Sequence, residues 1–233
     1  MDIKKVAGTN FIVDGFKLAG PHCRTYFLTH FHSDHYMGLK KTFDYGAIHT
    51  TTLTAELVPL LELGVEEYVV GHKLNEAFIV DGVEVTMLSA NHCPGAAILL
   101  FRFKNGTCHL HTGDMRWSPR MHRENPILSR LAVERSVDTL YLDTTYCRPK
   151  HVHPSQCDTI QYVVNAVAEH IDDPECVFLF QAYTIGYKDT HRDENVRMSS
   201  NSARSQTERH THTYTHTYTQ QGKDPPRRGR GIQ

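Results

Sequence analysis

The sequence lacks any apolar run approaching the roughly 20 residues that a membrane-spanning helix needs. Its charged start, residues 1–5, is not followed by the apolar stretch of a secretory signal peptide. The six cysteines are scattered without a CxxC pair, so the sequence does not indicate a disulfide framework. These absences exclude membrane-spanning and secreted classes, and we expect an intracellular, soluble protein with reduced thiols and no membrane partner.

Basic charge is also scarce over most of the chain. The formal net charge is −1, with an acidic excess in residues 1–186 and a basic excess in residues 187–233. A nucleic-acid enzyme usually presents a basic surface, and the folded part does not show one by composition. Bound divalent metals would add positive charge at the site itself, so the charge balance neither supports nor excludes a DNA substrate.

Regular apolar runs stop near residue 186, which divides the chain into two parts. Residues 1–186 predict helices at 52–63 and 155–171 and many short strands, a pattern typical of a layered α/β protein with a mixed sheet. Residues 187–233 are polar and contain the repeat HTHTYTHTYT, so we predict a low-complexity, disordered tail. The predicted strands are 10–14, 26–30, 77–80, 83–90, 97–103, 107–111, 139–143 and 176–181.

The sharpest motif is HFHSDH, which runs from His30 to His35 directly after an apolar strand. His30 and His32 are two residues apart at a strand end, so both side chains can face the same way. Asp34 and His35 follow in the turn and can face a neighbouring site. Imidazoles suit zinc and other first-row metals, and a carboxylate can hold a second ion. The alternative is a surface loop that happens to be rich in histidine.

Two later strand ends carry further candidate metal ligands. His92 follows a strong strand in the stretch SANHCPG, and Asp114 ends another strand in TGD. Either residue alone would be ordinary, since core histidines and turn aspartates are common. Together they predict one ion held by His30, His32 and His92, and Asp114 bridging to a second ion held by Asp34 and His35.

Two further aspartates end predicted strands, and each allows two interpretations. Asp14 can accept a hydrogen bond from a metal-bound histidine, or it can be an ordinary turn aspartate before Gly15. Asp143 can contact a metal or orient a ligand, or it can cap a turn.

The stretches TYFLTHFHSDHYMGL, LSANHCPGA, LHTGDMR and LYLDTTYC, in this order, resemble the DNA cross-link repair nucleases. That family belongs to the β-CASP branch of the metallo-β-lactamase superfamily, which also contains Artemis. The resemblance extends from about residue 8 to about residue 186. HxHxDH is shared by the whole superfamily, whereas ANHCPG and YLDTTYC are more specific.

The resemblance implies an αββα sandwich with metals at one edge and a zinc-dependent, 5′-to-3′ exodeoxyribonuclease activity. It implies a nuclear protein that acts on damaged or 5′-phosphorylated DNA ends in interstrand cross-link and double-strand break repair, alongside other repair proteins. Asp114, Asp34 and Asp143 are then the candidate catalytic carboxylates. The family's zinc ligands correspond to His30, His32, His92 and Asp114, its second-metal ligands to Asp34, His35 and Asp114, and its first-motif aspartate to Asp14.

The chain departs from the family pattern at its end. Beyond Gly186 the resemblance stops, so we expect an incomplete sandwich without the β-CASP domain and without a late histidine ligand for the second metal. Two other interpretations therefore stay open. One is a superfamily hydrolase that acts on a thioester, a lactam or RNA, and the other is an inactive, truncated product that binds zinc.

Overall fold

A computed structural model of the protein describes residues 4–180 and residue 185. The predicted disordered tail, residues 187–233, lies outside these residues, as does Gln181 at the end of the last predicted strand. None of the described helices is long and apolar enough to cross a membrane. All six cysteines are free thiols, as the sequence predicts.

The first sheet has four parallel strands whose order in space follows their order in the sequence. Its elements are β1 (Ile12–Val13), β2 (Thr25–Phe27), α1 (Ser33–Tyr36), β3 (Ala47–Thr51), α2 (Thr52–Leu57) and β4 (Val69–His72), with 3-10 helices at Phe16–Leu18, Val58–Leu61 and Glu66–Tyr68. All three residues of β2 are buried, because both faces of a parallel sheet are covered.

The second sheet has five strands, of which the first four are antiparallel and the fifth runs parallel to the fourth. The strands are β5 (Ala77–Val80), β6 (Val83–Ser89), β7 (Ala97–Arg102), β8 (Cys108–His111) and β9 (Thr139–Tyr141). Asp81 and Gly82 form the hairpin turn between β5 and β6, with φ values of 48° and 79° that suit a type I′ turn. The remaining helices are α3 (Pro119–Glu124), α4 (Pro126–Glu134) and α5 (Gln156–Ala168).

The central core lies between the two sheets. Phe27 of β2 meets Phe101 of β7 edge to face, with ring centroids 5.3 Å apart, an arrangement that aromatic pairs favour. Burial of this layer removes apolar surface from water and joins the two sheets. Other buried side chains in the layer are Val6, Phe11, Val13, Val83, Val85, Met87, Ala97 and Leu99.

Each sheet also buries its outer face against helical segments. On the first sheet, Tyr26 and Ile48 pack with Val58 of the 3-10 helix that follows α2. On the second sheet, side chains of β6 and β7 pack against Leu128 and Leu131 of α4. The layers therefore follow the order helix, sheet, sheet, helix, and the predicted αββα sandwich is confirmed.

Two predicted helices are present with shorter bounds. The helix predicted at 52–63 ends at Leu57 and continues as a 3-10 segment, because Pro59 has no backbone N–H to donate. The helix predicted at 155–171 is α5, and the Ser155 side chain caps it by accepting a hydrogen bond from the Asp158 backbone N–H at 3.1 Å.

The strand predicted at residues 176–181 is wrong over the part that the structure describes. Residues 176–180 form no strand, and the side chains of Val177, Leu179 and Phe180 are exposed. Their β-branched and aromatic character favours a strand, but a strand also needs a neighbour with which to pair. Within residues 4–180, the segment has no such neighbour.

A pair of histidines lies between the sheets, away from the predicted metal ligands. His49 Nδ1 is 2.9 Å from His72 Nε2, and Phe78 of β5 stacks on the His72 ring. Burial, and then the neighbouring His72, lower the pKa of His49 to about 4, although the Asp81 carboxylate opposes the shift. The folded chain therefore keeps His49 neutral at pH values where an unfolded chain protonates it.

We predict that the free energy of unfolding falls as the pH drops from about 6.5 towards 4, by on the order of 2 kcal/mol from His49. In that window the unfolded state binds a proton that the folded state does not. His49→Asn should reduce the pH slope in denaturant titrations carried out with EDTA. The exposed His22 gives the control, His22→Asn, which should keep the slope; an unchanged slope in His49→Asn contradicts the prediction.

Candidate metal centre

The loops that follow β1, β2, β6 and β8 carry the predicted metal residues, and they converge at one edge of the sandwich. Asp14 follows β1, and His30 and His32 come just after β2. His92 follows β6, and Asp114 follows β8. Ligand atoms from the loops after β2, β6 and β8 lie within 4.8 Å of one another in two overlapping groups, while Asp14 joins neither group. The structure therefore brings together residues up to 84 positions apart in the sequence.

The first group contains three imidazoles and the thiol of Cys93. His30 Nε2 lies 3.0 Å from His32 Nδ1, and His92 Nε2 lies 3.2 Å from the same atom. Zinc–nitrogen bonds are about 2.0–2.1 Å long, so ligand nitrogens about 3.3 Å apart suit one tetrahedral ion. Burial is the first cause that lowers the pKa of each histidine, that of His30 to about 3, which keeps the rings in the neutral, metal-binding form.

Asp114 lies between the first group and a second one. Its Oδ2 is 3.7 Å from His92 Nε2 and 4.0 Å from His30 Nε2, while its Oδ1 is 3.2 Å from His35 Nε2. The hydrogen bond from His35 lowers the pKa of Asp114 to about 2, against the opposing effect of burial. The carboxylate is therefore ionised at neutral pH and faces both groups, as a bridging ligand must.

The second group contains His30, His35 and Asp114, and Asp34 lies at its rim without joining the group. Asp34 Oδ2 lies 3.6 Å from His35 Nε2, and its side chain is 64% exposed. Burial by itself would lower the pKa of His35. Hydrogen bonds to Asp114 and Asp14, together with the charges of both carboxylates, outweigh the effect of burial and raise the pKa to about 10. Binding a metal at this group therefore displaces a proton from His35.

Asp14 supports the histidine cluster through hydrogen bonds with His35 and Thr29. Its Oδ2 lies 2.8 Å from His35 Nδ1, and its carboxylate accepts hydrogen bonds from the Thr29 backbone N–H at 2.8 Å and the Thr29 hydroxyl at 2.7 Å. The carboxylate is buried, which opposes ionisation, but these hydrogen bonds and the His35 charge lower its pKa. The geometry favours the supporting role over that of an ordinary turn aspartate.

Thr29 is a further residue of the centre, and the sequence did not predict it. Its hydroxyl donates to Asp14, so its oxygen is left to accept from His30 Nδ1, which lies 3.0 Å away. That hydrogen bond places the His30 proton on Nδ1 and leaves Nε2 available for a metal. The only signal in the sequence is a hydroxyl residue directly before the first histidine, which periodicity does not reveal.

Asp143 does not join either group of ligand atoms. Its Oδ1 accepts hydrogen bonds from the backbone N–H and the hydroxyl of Thr145, at 2.9 and 2.7 Å, as a turn cap does. Its charge nevertheless reaches the centre, where it opposes the lowering of the His92 pKa by burial. A catalytic role for Asp143 stays a prediction.

Cys93 enters the first group without having been predicted as a ligand. Its thiol lies with the three imidazoles, within 4.8 Å of their ligand nitrogens. Burial, and then the Asp114 charge, raise the pKa of Cys93 to about 12, so the metal-free site holds a neutral thiol. A thiol is a poor ligand and a poor nucleophile compared with a thiolate.

The four layers and the histidine–aspartate cluster at their edge define a metallo-β-lactamase-type fold. Over most of its length, the chain is similar to curated DNA cross-link repair proteins and to the 5′ exonuclease Apollo, which belong to the β-CASP branch of that superfamily. No family model matches the chain.

Three curated relatives show this similarity in sequence. The chain is 40% identical to the DNA cross-link repair protein SNM1 of Arabidopsis thaliana over 185 residues, which cover 78% of this chain and 37% of that protein. It is 42% identical to the human DNA cross-link repair 1A protein over 185 residues, which cover 78% of this chain and 17% of that protein. It is 36% identical to the 5′ exonuclease Apollo of Gallus gallus over 189 residues, which cover 78% of this chain and 38% of that protein. The chain thus spans less than two fifths of each relative's length.

We predict that Asp14→Asn weakens binding of zinc about 10- to 100-fold, because the histidines lose the carboxylate that orients them. The backbone should tolerate the change, since Asp14 has φ +49° and asparagine adopts that region readily. Competition with a chromophoric chelator measures the affinity. Asp138→Asn is the matched control, because Asp138 accepts a backbone hydrogen bond from Cys108 away from the ligands. Equal zinc affinity in Asp14→Asn and the unmutated chain would count against this role.

Proposed function

We propose that the chain provides the metal-dependent catalytic core of a DNA phosphodiester hydrolase, a 5′-to-3′ exodeoxyribonuclease of interstrand cross-link and double-strand break repair. The observation that carries the proposal is the position of the ionised Asp114 between three neutral imidazoles and His35. Relatives named for DNA cross-link repair and for 5′ exonuclease activity support the choice of substrate.

The donor set supports zinc as the first metal. His30, His32, His92 and Asp114 offer nitrogen and oxygen atoms of the kind zinc binds in catalytic sites. Asp34, His35 and Asp114 would hold a second divalent ion, for which a harder, carboxylate-rich set is suitable. Divalent ions, when bound, supply Lewis acidity towards water and phosphate oxygens.

The side chains of the centre themselves have three tasks. Asp114 stays ionised and can orient a water through whichever oxygen is not engaged. Asp14 and Thr29 hold the histidine rings in place, which limits reorganisation during the reaction. Asp34 and Asp114 are partly open to solvent, with 64% and 35% of their side chains exposed, so a strand end can approach this rim.

Water is the nucleophile that this centre supports best. Cys93 is the thiol among the ligand atoms, and its pKa of about 12 leaves almost no thiolate at neutral pH. A covalent cysteine intermediate is therefore disfavoured at this position, and single-step hydrolysis by water agrees with the site.

The proposal includes a nuclear location, damaged or 5′-phosphorylated DNA ends as the substrate, and contact with other repair proteins. The names of the three relatives described above, each concerned with DNA cross-link repair or 5′ exonuclease activity, support these points. Microscopy of the tagged chain, before and after treatment with a cross-linking agent, tests the location. Exclusion of the chain from the nucleus under both conditions would overturn this part.

We predict that Asp114→Asn lowers release of nucleotides from a 5′-phosphorylated DNA strand about 100-fold or more, because the loss of a bridging carboxylate removes several kcal/mol of stabilisation. Metal analysis of the same samples should show two ions per folded chain before the substitution and fewer after it. Asp44→Asn, on an exposed side chain that belongs to neither group of ligand atoms, is the control and should keep both values.

The two other interpretations give different results in the same assay. Hydrolysis of a thioester, a lactam or RNA without release from DNA would indicate a different hydrolase of this superfamily. One bound ion, and no release from any substrate by either chain, would indicate a zinc-binding product without catalysis. Either result contradicts the proposal.

A further inference from the structure

The chain has one tryptophan, Trp117, and it lies three residues after the bridging carboxylate of Asp114. Its side chain is 56% exposed, although indole is among the largest apolar groups a protein can bury. Single exposed apolar residues are common on protein surfaces, so exposure alone indicates nothing. Trp117 is distinguished by its loop, which follows Asp114 and is hydrogen-bonded to the residues that precede His92.

The loop that carries Trp117 is held by backbone contacts on both sides of the residue. The Arg116 backbone N–H donates to the Ala90 carbonyl at 3.1 Å, and the Asn91 side-chain amide donates to the Arg116 carbonyl at 2.9 Å. Ala90 and Asn91 directly precede His92, a predicted ligand. On the other side, Ser118 caps α3. The indole therefore projects from a backbone that is tied to the metal-binding loop.

The same loop carries positive charge. Arg116 directly precedes Trp117, its side chain is exposed, and its backbone N–H donates to the Ala90 carbonyl, two residues before His92. A guanidinium beside a metal centre is suited to a phosphate oxygen, which it can bind through two parallel N–H groups. An aromatic ring next to a basic group is the combination by which proteins hold single-stranded nucleic acid, since bases stack on the ring while cations contact the backbone.

We propose that Trp117 is a stacking platform for an unpaired nucleobase at the end of the DNA strand being hydrolysed, with Arg116 contacting that strand's phosphate backbone. This inference rests on the proposed function and adds how the strand end is held. Stacking tolerates any base, because each base has a π-face, so the contact favours frayed or single-stranded ends without selecting a sequence.

Because Trp117 is the chain's single tryptophan, its emission reports the contact directly. The test titrates the full-length chain, loaded with zinc, with a 5′-phosphorylated phosphorothioate oligothymidylate, whose linkages resist cleavage. A strand of the same length and charge built from abasic residues is the matched ligand. We expect the thymidylate to quench the emission and the abasic strand to leave it nearly unchanged. Equal responses to the two strands, or no response to either, would overturn the proposal.

A second measurement uses fluorescence anisotropy of the labelled thymidylate strand. Trp117→Ala should weaken binding about five-fold or more, and Trp117→Phe, which keeps a smaller ring, should weaken it less. Ile79→Ala is the control, since Ile79 is exposed on β5, at the opposite edge of the second sheet from β8 and β9. Equal weakening by Trp117→Phe and Trp117→Ala, or none by either, would contradict stacking.

Failure of this inference is distinguishable from failure of the proposed function. If the unmutated chain releases nucleotides from DNA and Trp117→Ala binds the strand as tightly as the unmutated chain does, hydrolysis is supported and stacking by Trp117 is contradicted. If the quenching depends on the base but no nucleotides are released, binding of the base is supported and the proposed hydrolase activity is contradicted.

Discussion

The buried carboxylate of Asp14 is the constraint on which the candidate metal centre depends. An ionised group without solvent is costly unless hydrogen bonds satisfy it. Here Thr29 donates twice and His35 once, so the charge is matched by groups from the loop that carries the ligands. The same contacts determine which ring nitrogens of His30 and His35 face the centre. One carboxylate thereby couples the first sheet to the orientation of both groups of ligands.

The electrostatics of the centre indicate that it is built for a cation. His35 lies between Asp14 and Asp114, and against the effect of burial, hydrogen bonds to these two carboxylates raise its pKa to about 10, so the imidazole is protonated at neutral pH. The neighbouring imidazoles remain neutral because burial disfavours more positive charge. A divalent ion held by Asp114, His35 and the neutral imidazole nitrogens would supply positive charge there in place of the proton on His35.

The sequence predicts the ligands better than it predicts their support. His30, His32, His92 and Asp114 follow apolar strands, so their convergence could be inferred from where each strand ends. Thr29 could not, because a hydroxyl before a histidine is common and its role depends on a carboxylate 15 residues earlier. The strand predicted at residues 176–181 failed for a related reason, since pairing depends on neighbours that local composition does not specify.

Three of the four loops that form the centre, those after β1, β6 and β8, share a backbone feature. Asp14, Asn91 and Gly113 all have positive φ, at 49°, 51° and 54°, and each is a functional residue or directly precedes one. Such residues turn the chain sharply at the end of a strand, which directs the next side chain inward along the sheet edge. Gly113 has an additional reason, since a Cβ there would lie 3.0 Å from the Thr29 Cβ. The Gly-Asp pair therefore lets Asp114 approach the histidines while the loop packs against Thr29, the residue that orients His30.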